Sequence, residues 1–151
     1  APGRKGKSRA VRKSRAGRDS IRARKNTRIE KAADEFQLTF TGDDPGIAMD
    51  FRHNPVSPAG PYCLTFELTT DWKGQGDIFF TTDKEAVLPR GEKIRFPIVG
   101  GSQAQEVRLE IDTAEQLYQL RIDVADGPGA ATLRKLRLLD SSGKVLKQWN
   151  P

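Results

Sequence analysis

From residue 34 onward, apolar residues recur at every second position through most of the chain. Tyr62, Leu64, Phe66 and Leu68 alternate with Cys63, Thr65, Glu67 and Thr69. A period of two predicts a strand with one face in a core and the other toward water. A polar turn (Asp71 to Gly76) follows, then a second aromatic run, Asp77 to Thr82. Phe36, Leu38 and Phe40 form a similar set, and so do Ile47, Met49 and Phe51. Gly42-Asp43-Asp44-Pro45-Gly46 lies between these two sets and has the residues of a tight turn. Further strands are predicted at Ile94–Ile98, Val107–Ile111, Tyr118–Val124, Ala131–Leu139 and Val145–Trp149. Pro97 cannot donate to a ladder, which puts its strand at an edge or a bulge. In Leu133-Arg134-Lys135-Leu136-Arg137-Leu138 the spacing slips by one residue, as a β-bulge requires. Thr113 to Gln116 has room for one helical turn.

About nine short strands at intervals of roughly 8–12 residues predict an all-β chain, an antiparallel β-sandwich or jelly roll. Its core is expected to hold Leu64, Phe66, Ile94, Leu109, Leu120 and Ile122, with Trp149 closing it. No long apolar helix interrupts the pattern, and no run of eighteen apolar residues exists that could span a membrane.

Charge divides the chain. Residues 1–33 hold 13 Lys and Arg against 2 acidic residues, a balance of +11, while residues 34–151 hold 13 basic against 18 acidic, a balance of −5. The overall +6 therefore joins a basic arm to a mildly acidic body. Residues 1–33 are expected to be a mostly disordered linker, with at most a frayed helix after Ser20. Residues 34–151 are expected to be the sandwich domain. The first 33 residues contain no signal-peptide core, and the chain begins at Ala. A piece processed or excised from a longer polypeptide would explain both.

The residue types that carry chemistry are sparse. Cys63 is the single cysteine and His53 the single histidine. This excludes an internal disulfide and a cysteine-cluster zinc site. Cys63 reads as a half-buried strand residue and His53 as an exposed loop residue, so no catalytic residue is assigned. Asp43 and Asp44 read first as turn residues; with Asp140 they are also candidates for a structural calcium. No other cofactor is expected.

Three stretches resemble the C-terminal β-sandwich module that follows the catalytic domain in many bacterial sulfatases. Thr41-Gly42-Asp43-Asp44-Pro45-Gly46-Ile47-Ala48 is similar to its T-G-x-D-P-x-[IL]-x opening. Gly76-Asp77-Ile78-Phe79-Phe80-Thr81-Thr82 resembles its G-x-[IV]-x-aromatic-T-T strand. Leu133 to Leu138, with Gln148-Trp149, is similar to its closing strands. The resemblance spans Glu35 to Pro151. It implies a galactose-binding-like sandwich, a covalently attached sulfatase catalytic domain and export to the periplasm or beyond. The sulfatase nucleophile motif C-x-P-x-R is absent at Cys63, where Leu64-Thr65-Phe66-Glu67 follow. The chain is therefore read as a noncatalytic accessory domain, either structural or contacting a sulfated or other polysaccharide.

Glycan contact needs an exposed ring to stack on a sugar and polar groups for its hydroxyls. Trp72, in a polar turn, and Phe79, out of phase with Ile78 and Phe80, are the candidate rings. Arg121 and Asp123 share a face of one strand, and the arginine fork suits sulfate oxygens. The competing expectation for these residues is a rim tryptophan and an ordinary solvated ladder. Two other functions remain open. One is nonspecific nucleic-acid or polyanion binding through residues 1–33, which contain no aromatic residue for base stacking. The other is a purely structural domain packed on a catalytic neighbour.

Overall fold

The computed structural model describes residues 20–56, 60–85 and 92–151. Eleven strands and no helix are present among the described residues: β1 (Ser20–Ala23), β2 (Thr27–Ala32), β3 (Glu35–Phe40), β4 (Ile47–Asp50), β5 (Tyr62–Thr70), β6 (Gly74–Thr81), β7 (Glu92–Ile98), β8 (Gln105–Ile111), β9 (Gln119–Asp123), β10 (Gly129–Leu139) and β11 (Val145–Trp149). They form two antiparallel sheets. The five-stranded sheet runs β1-β4-β9-β6-β7, and the six-stranded sheet runs β2-β3-β10-β5-β8 with β11 also paired to β10. Most connections cross from one sheet to the other. Each crossing brings the next inward-facing side chains over those of the strand before it, and this builds the core.

That core follows the period of two. Leu64, Phe66, Leu120 and Ile122 are each exposed by 1% or less, and Ile94 and Leu109 pack against them at the margin. Trp149 is buried with its ring 6.2 Å from that of Phe51, closing the core at the chain end. Pro97 lies in β7, the edge of its sheet, where its missing donor removes no ladder bond on the open side. The slipped spacing in β10 is a register shift between Arg134 and Arg137, with Lys135 at φ 55°. The extra residue lets Leu133, Leu136 and Leu138 all face inward.

Two expectations need correction. The segment after Ser20 is two strands, not a frayed helix. Ile21 lies opposite Met49 and Ile29 opposite Leu38. Periodicity was faint there because both are edge strands. Their order comes from backbone ladders to β4 and β3, and their dense charge keeps the edges from pairing further. Asn26, at φ 55°, makes the turn between them, and its side-chain amide donates to the Asp43 carbonyl (2.8 Å). Thr113 to Gln116 forms no helical turn. Thr113 instead caps its own bend, its hydroxyl accepting from the Glu115 amide (3.2 Å). The remainder of the arm, residues 1–19, lies outside the described residues.

Candidate functional site

β9 lies in the middle of the five-stranded sheet, between β4 and β6. Leu120 and Ile122 enter the core, so Gln119, Arg121 and Asp123 must point to the outer face. Register sets their neighbours. Arg121 has Ala48 on one side and Phe79 on the other, and Lys93 lies opposite Phe79. Asp123 is opposite Asp77, which is opposite Arg95.

The Arg121 side chain is only 3% exposed although it is on an outer face. Ala48, small and itself buried, leaves room on one side. Phe79 covers the other, with its ring centroid 4.9 Å from the guanidinium carbon. Asp123 grips the fork from two directions: Nε donates to Oδ1 and Nη2 to Oδ2, both at 2.8 Å. Nη2 also donates to Asp44 Oδ1 at 2.6 Å. Asp44 reaches there because the Gly42–Gly46 turn folds over the sheet with Asp44 at φ 55°. Its other oxygen is 4.0 Å from Arg24. Gly46 is needed beside it, since a Cβ there would meet the Asp123 carboxylate and the Ile122 carbonyl.

Burial opposes the charge of Arg121, but the Asp123 hydrogen bonds and the two negative charges outweigh it and hold the pKa above the usual arginine value. Burial pushes the Asp123 carboxyl up from its ordinary value, and Arg121 offsets only part of that. Arg24, Arg121, Asp44 and Asp123 sum to zero charge, and the exposed Lys93 on the far side of Phe79 adds one positive charge to the face. The Arg121 guanidinium is already committed to carboxylates, while the largely exposed Asp44 oxygens can still accept hydrogen bonds. Phe79 is half-buried and lies between Arg121 and Lys93, whose ammonium is 6.0 Å from the ring centroid. The arrangement offers a half-buried ring flanked by two cations, with carboxylate acceptors beside it. It holds no nucleophile–base pair.

Three of the four candidate sugar contacts, Phe79, Arg121 and Asp123, are thus adjacent on one face. Trp72 is apart from them. It lies in the β5–β6 connection between the sheets, half-buried against the core, with its ring on Gly74. Of the three candidate calcium ligands, Asp44 serves Arg121 and Asp43 offers its carbonyl to Asn26. Asp140 is in the β10–β11 hairpin of the other sheet, where one carboxylate oxygen accepts from the Ser142 amide and hydroxyl and the Lys144 amide. These bonds, led by the Ser142 hydroxyl, lower its pKa. Among the described residues no group of three or more His, Cys, Asp or Glu is arranged to hold a metal ion. His53 is exposed and Cys63 is half-buried and unpaired. Arg24, Asp44 and Lys93 belong to the outer-face cluster but carry no sequence signal that would have joined them to β9.

Comparison with solved structures gives this arrangement a context. A family 29 carbohydrate binding module matches with a TM-score of 0.60 at 12% identity, over 83% of this chain and 80% of that one. A lysine variant of such a module complexed with cellulohexaose matches at 0.60 and 12%, over 83% and 82%. An aspartate variant complexed with mannohexaose matches at 0.58 and 12%, again over 83% and 82%. The chain shares their fold. No protein-family model and no curated protein sequence matches it.

Proposed function

We propose that this chain is a noncatalytic carbohydrate-binding module that holds a neutral stretch of polysaccharide on the outer face of its five-stranded sheet. The observation that carries the reading is the half-buried Phe79 ring set beside a guanidinium already engaged by Asp123 and Asp44. A sugar ring would stack on Phe79, and its hydroxyls would donate to the Asp44 and Asp123 oxygens. The fold is shared with modules solved with cellulohexaose and mannohexaose. The variants of that module made to probe ligand recognition include an arginine and an aspartate two positions apart, the spacing of Arg121 and Asp123.

The finer reading is an accessory domain of an exported sulfatase, joined covalently to its catalytic domain. It rests on the three sequence stretches named above, and two of them supply this face. The Thr41–Ala48 stretch delivers Asp44, and the Gly76–Thr82 stretch carries Phe79. A coding sequence that places a C-x-P-x-R catalytic domain before this chain would support it, and one that places an unrelated protein there would refute it.

Calorimetric titration of the full chain with cellohexaose and mannohexaose tests the binding. Phe79→Ala should weaken it about tenfold, the worth of one aromatic contact of about 1.4 kcal/mol. Trp72→Ala should leave it unchanged. Failure of either oligosaccharide to bind, or equal binding by Phe79→Ala, overturns the proposal.

A further inference from the structure

The outer face of the six-stranded sheet carries a groove of about 360 Å³ on the opposite side of the molecule from Phe79. Register puts Arg108 of β8, Thr65 of β5 and Arg137 of β10 in one row across its floor. Lys135, Glu67 and Glu106 border the row. Glu67 is already engaged, 3.3 Å from the Lys135 ammonium and 3.8 Å from Arg134. The two arginines of the row are not: among the described residues neither has a carboxylate within salt-bridge distance. Arg137 Nε is moreover shut off from water with no hydrogen-bond partner. A buried guanidinium N–H left without an acceptor is costly, and such groups call for an explanation.

We propose that this groove is a second binding site, and that it takes an oxyanion, a sulfate or carboxylate group, between Arg108 and Arg137 over the Thr65 hydroxyl. The arginines stand two inter-strand spacings apart, about 10 Å between backbones, so their side chains can converge on one group. The planar fork of arginine suits such oxygens in a way a lysine does not. The ligand is a discrete anion rather than a nucleic acid strand. A strand carries a phosphate on every nucleotide, and Glu67 and Glu106 beside the row would repel the phosphates on either side of a bound one. The groove also offers no exposed ring for a base. A sulfated or uronate-bearing polysaccharide has spaced anions, and free inorganic sulfate has the same chemistry. The inference does not depend on the Phe79 face.

The full chain also contains the basic residues 1–33, so the test must separate a built site from general charge. We compare the double variant Arg108→Gln/Arg137→Gln with the control Arg12→Gln/Lys13→Gln, which removes the same charge elsewhere. Binding to dextran sulfate is measured by calorimetry at physiological salt, with dextran and an oligothymidylate as comparators. Inorganic sulfate is titrated separately while the Arg137 Nε–H signal is followed by nitrogen–proton NMR. The groove variant should lose at least tenfold in dextran sulfate affinity and the control less than threefold. Sulfate should move the Arg137 signal. A shift with sulfate together with tighter binding per sulfate on dextran sulfate assigns a polysaccharide ligand; a shift with no such gain assigns a free anion. Both support the site. Equal losses in the two variants, no shift with sulfate, or tighter groove-dependent binding of the oligothymidylate overturns it. If the double variant melts early, Arg108→Lys/Arg137→Lys replaces it, and retained charge with lost affinity is then expected.

Discussion

Replacing Arg121 by methionine separates the physical role of its charge from that of its stem. Methionine keeps an apolar chain beside Phe79 but removes the guanidinium. The structure sets the cost by what is left behind. The Asp123 side chain is 15% exposed and loses two 2.8 Å hydrogen bonds, so it becomes an uncompensated carboxylate. The Asp44 side chain is 59% exposed and can return to water. Removing one partner of a buried pair costs about 3–5 kcal/mol, whereas losing an exposed partner costs about 0–1 kcal/mol. Arg121→Met should therefore lower stability by about 3–5 kcal/mol and Asp44→Ala by no more than about 1 kcal/mol. For a domain of this size that is a fall in Tm of roughly 10–25 °C against at most a few degrees.

The assay is urea and thermal denaturation between pH 4 and 8, and pH supplies an internal check. Burial already raises the Asp123 pKa, and without Arg121 the rise must be larger. The folded variant then binds a proton before the unfolded chain does. Its penalty is full above the raised folded pKa and shrinks as pH falls toward the unfolded value of about 3.9. A loss below about 1 kcal/mol at pH 7 would refute the reasoning. So would a penalty that stays constant down to pH 4, or an Asp44→Ala cost as large as that of Arg121→Met.

Two further outcomes follow from the same face. Gly46→Ala should push the Asp123 carboxylate off Arg121, lowering stability by about 1–3 kcal/mol, the usual range for overpacking, and weakening oligosaccharide binding; thermal melting and calorimetry read both. Asp50 is held below its ordinary pKa of 3.8 chiefly by the hydrogen bonds from Arg52, so its contribution is present above pH 3.8 and is lost as pH falls through the lower folded value. Asp50→Asn should then be less stable than wild type near neutrality and equal to it in strong acid, as measured by urea midpoints at pH 2.5 and 7.

The sandwich was legible because its core obeys a period of two over nine strands, and a bulge or an edge proline leaves a mark that can be read locally. β1 and β2 were not legible. Their only apolar anchors, Ile21 and Ile29, carry no periodicity, and what orders them is a ladder to strands far along the chain. The site divides in the same way. Arg121 and Asp123 are two residues apart in a strand, so a shared face follows from strand geometry alone. Phe79 stands out because Ile78 and Phe80 claim the core. Asp44 is 77 residues from Arg121 in sequence and reads locally as a turn residue, so its part in the cluster requires the sheets to be assembled. Trp72 reads two ways in sequence, as an exposed ring or a rim tryptophan, for a related reason. A tryptophan in a polar turn suggests exposure, but this turn crosses between sheets, and Gly74 leaves a bare backbone for the ring to rest on.

The commitment of Arg121 to carboxylates also changes what the fold asks of its two faces. A sequence reading assigns sulfate to Arg121 because arginine suits sulfate. Assembled, that arginine is already held by two carboxylates, and a sulfate brought there would have to displace Asp44 and would still face the buried charge of Asp123. Among the described residues, two arginines with no carboxylate within salt-bridge distance, Arg108 and Arg137, lie on the other sheet. Stacking and hydroxyl contacts change little with ionic strength, while an exposed anion contact weakens as salt screens it over about 10 Å at 0.1 M. A polymer with plain and acidic sugars would thus meet two surfaces of different kinds, one held by stacking and hydroxyl hydrogen bonds and the other by charge.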